Sequence, residues 1–489
     1  MTDTPVVTDT PQPHRRKWAV LVYQAADNNL TEECIYALTE MKAATNTVSR
    51  ALARPLDVIV RLDPLGRGNP SRLFNLKTGR SLEDDEDERQ RRFEIDTGNP
   101  ETLLDFLCTA IDKNDADHFM LVLSGHGAAT SEGFFLKDEE RPLLSIPSSF
   151  PVPALRRVFQ SDRLKDALGD RKIDILGFDA CMMSVGEVCY QLRDLEVLNL
   201  VVGSEGFSLN SGWPLRSILE HMRGFQLNPD QLAEFIVKAY VEFYGDYHLG
   251  GLSVDQAAVD LSQICHLRDE VDRLAQSMIY EIRRESGDHD DNLYYREGGK
   301  PFQDALLLAH WAAQSYNGEQ CVDLYDFCDL LEERVPHHES DESVWKCCRR
   351  IKNFLTQGPD KLIRKCCYVG AAFQFSHGLS IYFPWAYYDL APSYRELDFA
   401  KHSKWREFLK IYLKATRRRP REGKDIHVTE KAFRSTPPSS KGPSGKVFSM
   451  RNPPTRFHRP KCAGPEKPKP ENDMPSADDS VAKRIEGVG

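Results

Sequence analysis

No run of apolar residues in this chain of 489 approaches the roughly 20 that a membrane-crossing helix needs, so the chain reads as soluble and without a membrane partner. Equally absent are a Walker A sequence, a G-x-G-x-x-G fingerprint and a G-x-S-x-G elbow, which leaves nucleotide-dependent and serine-hydrolase chemistry without support. There is no C-x-x-C pair, and neither Cys265-His266 nor Cys321 with Cys328 has a zinc-ligand spacing, so no metal site is expected. Excess positive charge is also missing. The net charge of -10 counts against nucleic acid as a partner. The opening "MTDTPVVTDTPQPHRRKW" has no apolar core of a secretory signal, and a cytoplasmic location is the expectation.

What the chain does have is 40% hydrophobic and 28% charged residues, ordinary values for a globular protein long enough to bury a large core. Its 12 cysteines include the adjacent pairs Cys347-Cys348 and Cys366-Cys367. A chain of this size needs no disulfide staples, so most read as buried thiols. Strand-like runs alternate with helical patterns through the first half, the pattern of βαβ units and a mostly parallel sheet. "KWAVLVYQAADNN", "LDVIVRLDP", "HFMLVLS", "IDILGFD" and "VLNLVVG" read as strands, and "EECIYALTEMKAA" and "PETLLDFLCTAID" as helices between them. Residues 228–415 read as a helical lobe with one strand, "GLSIYFPWAYY" at 378–388, returning to the sheet. Residues 1–16 and the basic, proline-rich stretch 416–489 are expected to be disordered, leaving 17–227 as the α/β core. The acidic run from Glu83 to Glu88 lacks the glycine and ligand spacing of an EF-hand loop and reads as a solvated link.

Two strand endings carry the chemistry. "LVLSGHGAA" stops in a histidine set between glycines, and "ILGFDAC" stops in a thiol. In a parallel sheet, loops at the carboxyl ends of neighbouring strands face one crevice, so His126 and Cys181 can converge although about 55 positions apart. A free thiol is mostly neutral at pH 7, and a nearby imidazole raises its thiolate fraction. "CMMSVGEVCYQL" reads as a helix starting beside Cys181, whose amides would favour an anion there. Gly127, without a side chain, lets its N–H approach the oxygen of a tetrahedral intermediate, with the Cys181 N–H as a second donor, and His126 protonates the leaving amine. Either motif alone has a plainer reading: a cysteine after a strand is usually a small buried hydrophobe, and a histidine beside glycine a turn residue. His377-Gly378 repeats the dipeptide but precedes a strand, which sets it at the edge opposite Cys181 and suggests packing. Cys34, Cys108 and Cys189 lie within helical patterns and do not compete as nucleophiles.

These endings, with "YQAADNNL", "GNPETLLDFL", "GLSIYFP" and "LDFAKHSKWREFLKIYL", resemble the clostripain family of the clan that includes caspases, gingipains and legumains. The resemblance implies a caspase-like α/β fold, a mostly parallel sheet flanked by helices, with the helical lobe and tail added. It also implies a cysteine endopeptidase with His126 and Cys181 as its dyad, acting on protein or peptide substrates with Arg or Lys before the cut bond. Asp179 matches the family position for an acidic pocket that would receive that cation, although capping of the following helix is an equal reading. Glu205, in "VVGSEG", is a second pocket candidate. No cofactor is required on this view; calcium, which activates some members, stays open. Self-cleavage between the two motif strands is also implied, with Lys137 and Arg141 as candidate positions. The further glycine and aromatic residue common after His-Gly in the family are missing from "HGAAT". That departure keeps a second expectation in view, a catalytically silent scaffold that recruits partners through its basic tail.

Overall fold

In the computed structural model, the described residues are 17–46, 56–65, 71–76, 95–128, 134–138, 148–245, 251–286, 301–316, 320–385 and 390–416. The stretches 1–16 and 417–489, the acidic run at 83–88 and Arg141 therefore lie outside them, as do all side chains of strand Phe134–Asp138, including that of Lys137.

An eight-stranded sheet organises the chain. Five strands run parallel at its centre: β1 (Trp18–Ala26), β2 (Leu56–Pro64), β4 (His118–Ser124), β7 (Ile173–Asp179) and β8 (Leu198–Gly203). Antiparallel strands complete both edges, β3 (Arg72–Asn75) beside β2, and β9 (Val254–Asp260) then β12 (Ile363–Val369) beside β8. The order is β12-β9-β8-β7-β4-β1-β2-β3. The centre is parallel because helices cover both faces, and the sequence shows it: every residue of β1 and β7 is buried, so these strands read as near-continuous apolar runs, interrupted at Gln24, Asp174 and Asp179, rather than alternating ones. Alternate side chains serve opposite layers. Phe119, Leu121 and Leu123 join one core, Met120 and Val122 the other. Each such fully buried aliphatic side chain contributes about 1.5–3 kcal/mol.

Helices cover the sheet where their stripes predict. Pro100–Asp112 buries Leu103, Leu104, Leu107 and Ile111, and its first turn is closed by Asn99, whose side chain accepts from the Glu101 amide at 3.0 Å. Among the described residues no helix is long and apolar enough to cross a membrane.

The second half departs from the sequence reading. The strand at 378–388 does not return to the main sheet. Within it, β13 (Ser380–Tyr382) pairs with β11 (Cys321–Asp323), which pairs with β10 (Ser315–Tyr316), in a small separate sheet. The strands that extend the main sheet are β9 and β12, "VDQAAVD" and "IRKCCYV". Their polar and charged positions concealed them: Asp255, Gln256 and Asp260 are buried through hydrogen bonds and ion pairs rather than through apolarity.

Candidate active site

Register puts the two motifs together. β4 and β7 are adjacent and parallel, and their last partners are Ser124 and Asp179. The ladder continues one step, with the Gly125 amide donating to the Asp179 carbonyl at 3.2 Å. His126 and Cys181 each lie two residues past that pair and leave the same edge of the sheet side by side. Both line one cleft, together with Leu30, Glu33, Cys34, Ser124 and Asp179. Gly127 presses against the backbone of Cys181: a Cβ there would overlap the Cys181 carbonyl oxygen and come within 2.9 Å of its amide nitrogen. Only glycine fits such an approach.

The imidazole is oriented from β1. Nε2 of His126 lies 2.7 Å from Oδ1 of Asn29, which can only accept, so Nε2 carries the hydrogen and the ring presents Nδ1 as the basic atom. Asn29 holds its place because Asn28 closes the turn after β1, donating to the Ala25 carbonyl at 2.9 Å and accepting from the Leu30 amide at 2.9 Å.

The Cys181 thiol faces the loop after β8. The Ser208 amide donates to Sγ at 3.3 Å, and Sγ donates to the Ser208 carbonyl at 3.6 Å. Burial pushes the thiol above its ordinary value; the Ser208 amide pulls it down and the Asp179 charge raises it again. The helix expected to start beside Cys181 does not. It spans Gly186–Gln191, and the intervening residues turn through Met182, whose φ is +56°. Ser184 then pairs backbone to backbone with Ser204 and Ser380, and the Met182 amide donates to the Gly206 carbonyl. The N-terminus of that helix is therefore not at the sulfur. Asp179 caps no helix either, because the residue before that helix is Val185 and makes no side-chain cap.

Asp179 lies buried at the cleft, accepting from the Ser124 hydroxyl at 3.0 Å. Burial lifts its carboxyl to about 6, with the Ser124 hydroxyl and the Trp213 amide working against the rise. Glu33, in the first turn of the helix Thr31–Asn46, adds a second carboxylate to the lining, which among the described residues includes no lysine or arginine. Cys34 also lines the cleft, but burial drives its thiol up to about 12 and it stays protonated, as does buried Cys189.

Glu205 is elsewhere. Its side chain is fully buried and accepts from the Gly378 amide at 2.6 Å, and it does not line the cleft. Burial, then Asp323 and Asp255, hold it well above the usual carboxylate range. His377 belongs to this cluster, its Nδ1 3.2 Å from Asp323. It is not at the edge opposite Cys181: the segment it opens lies against the turn after the cysteine, with Ser184 donating to the Gly378 carbonyl at 2.7 Å. Among the described residues no group of three or more His, Cys, Asp or Glu is arranged to hold a metal ion.

Asn29, Glu33 and Ser208 were not singled out by sequence reasoning. The first follows a parallel strand as His126 and Cys181 do, and that placement was the available signal; the other two are brought in by a helix face and a loop path, which carry none.

Comparison with known proteins gives a consistent picture. The model of the Clostripain family matches residues 22–412. Clostripain of Hathewaya histolytica is 22% identical over 373 residues, which cover 65% of this chain and 66% of that protein, so the chain spans just under two thirds of this relative's length. A secreted C11 cysteine protease from Bacteroides thetaiotaomicron, solved in complex with an irreversible peptide inhibitor, is similar with a TM-score of 0.52 and 15% identity over 82% of this chain and 99% of that one. A second structure from that organism, "iotapain", gives 0.50 and 14% over 79% and 99%. Likeness at that identity speaks for the fold.

Proposed function

Because the chain belongs to the clostripain family of cysteine peptidases, we propose that it is an endopeptidase that cuts after Arg or Lys, with Cys181 as nucleophile and His126 as its acid and base. The observation that carries this reading is the register of β4 and β7, which sets His126 and Cys181 side by side over a buried carboxylate. His126 takes the thiol proton through Nδ1. The sulfur then attacks the scissile carbonyl carbon, forming a C–S bond while the carbonyl electron pair moves to oxygen. The amides of Gly127 and Cys181 are the candidate donors to that oxyanion. Collapse breaks the C–N bond as His126 gives its proton to the amine; water, giving a proton to His126, then attacks the acyl carbon, and the C–S bond breaks to release the acid as His126 returns that proton to the sulfur. Asp179 supports the substrate preference, since a cationic side chain leaving water requires a fixed counter-charge, and Glu33 adds to the field.

Hydrolysis of Arg- and Lys-terminated fluorogenic peptides by wild type and Cys181→Ala tests the proposal, and equal rates refute it. One observation favours a second reading, a silent scaffold: the thiol's hydrogen bonds go to Ser208 and that of Nε2 to Asn29, with no lysine or arginine at the sulfur among the described residues. An arginine chloromethyl ketone separates the two, because a scaffold leaves Cys181 unmodified. No cofactor is proposed, and calcium dependence is decided by assaying with and without a chelator. Self-cleavage after Lys137 or Arg141 belongs to the same proposal and is read by N-terminal sequencing of the fragments.

A further inference from the structure

The loop that faces the nucleophile is held by a residue remote from both motifs. β9 runs antiparallel to β8 with Gly203 opposite Ala257, so Asp255 extends past the end of β8, where residues 204–208 turn toward Cys181. Its carboxylate accepts from two successive amides, Glu205 N at 2.6 Å and Gly206 N at 2.9 Å. Asp255 is 1% exposed, and it spends both oxygens on this clasp. The clasped peptide touches the nucleophile's surroundings directly. The Gly206 carbonyl accepts from the amide of Met182, the residue after Cys181, at 2.9 Å. Two residues on, the Ser208 amide donates to Sγ and the Ser208 hydroxyl to the Ala180 carbonyl at 3.1 Å, so the loop grips the chain on both sides of the cysteine. Gly206 is required for the fit, since a Cβ there would fall 2.9 Å from Asp255 Oδ1 and against the ring of Phe373.

A buried carboxylate bound only to main-chain amides fixes a path rather than a fold layer, and a displaced path moves the Ser208 amide off the sulfur. We infer that Asp255 is a positioning residue for the Cys181 thiolate, acting through the Gly206 peptide and the Ser208 amide. This rests on the assignment of Cys181 as nucleophile. Misplacement by about 1 Å costs on the order of 100-fold in rate even when the change is distant from the chemistry.

Asp255→Asn keeps the volume but loses one acceptor. Per active site titrated, its kcat on an Arg fluorogenic peptide is expected to fall about 100-fold, with KM held within about threefold. Gly206→Ala, which strains the same clasp against the half-exposed Phe373, is expected to show the same split and keeps the test open should Asp255→Asn not fold. Alkylation of Cys181 by iodoacetamide at pH 7, followed by peptide mass mapping, needs no turnover and is expected to slow about tenfold, the effect of one pKa unit on the thiolate fraction. Wild-type kcat in either folded variant overturns the inference. If wild type itself fails to cut Arg peptides, the peptidase assignment falls, and equal alkylation rates in wild type and variants then overturn the clasp separately.

Discussion

Nε2 of His126 lies 2.7 Å from Oδ1 of Asn29, so a loop at the end of β1 fixes the tautomer of an imidazole at the end of β4. When the ring is protonated during turnover, that bond is one to a charged group, worth about 1.5–3 kcal/mol. Asn29→Ala is therefore expected to lower kcat about tenfold or more with the thermal midpoint little changed, since Asn29 is exposed. Asn29→Asp restores an acceptor and adds a charge that favours the imidazolium, moving the acidic limb of the pH–rate profile upward. Activity of Asn29→Ala at the wild-type level would remove Asn29 from the site.

Asp179 places stability and specificity in opposition. Its carboxyl sits at about 6 in the fold against an ordinary value of 3.8, so folding prefers the protonated form. The cost is absent below about pH 4, grows as pH rises through about 6 and is complete above it. Asp179→Asn removes that cost and is expected to gain at most about 3 kcal/mol of stability at pH 7.5, with no gain at pH 3.5. Denaturant melts at the two values check it.

The same titration bears on substrate choice. A cation in the cleft pairs with the ionised carboxylate, so wild type should lose its preference for arginine over neutral citrulline as pH falls through about 6. Asp179→Asn should show little preference at any pH. A citrulline-to-arginine ratio of kcat/KM that stays flat with pH in wild type rules out Asp179 as the counter-charge.

Gly127→Ala forces a methyl into the Cys181 carbonyl. Loss of one oxyanion donor alone costs about 100- to 1,000-fold in kcat, and at least that is expected here. Activity close to wild type would show that the peptide of residue 127 moves away during catalysis.

Glu205→Gln tests the residue that geometry removes from the cleft. Burial holds the Glu205 carboxyl well above the usual carboxylate range, and Gln keeps an oxygen for the Gly378 amide. The arginine-to-citrulline preference is expected to be unchanged; a collapse of that preference would return Glu205 to the pocket.

Much of this was legible from the chain alone. The apolar runs ending in His126 and Cys181 became β4 and β7 because a strand buried on both faces writes itself as near-continuous hydrophobicity, and Pro100 announced a helix start. β9 and β12 were not legible, because the buried Asp255 and Asp260 of β9 and the half-buried Arg364 of β12 are satisfied by partners far along the chain and local patterning holds no record of them. The helix placed beside Cys181 was misread because apolar periodicity in "CMMSVGEVCYQL" is equally served by a turn whose main chain bonds to Gly206, Ser204 and Ser380.

Sequence by itself determined the residue types at the strand ends, and with them the family, since period and composition are local properties that survive without coordinates. Tertiary structure decided which side chains meet: that Asp179 enters the cleft while Glu205 leaves it, that Asn29 rather than a carboxylate orients the imidazole, and that Asp255 holds the loop against the sulfur. The physical reason is that hydrogen bonding and burial depend on register between strands and on the paths of loops, distances set by the whole fold and encoded at no single position.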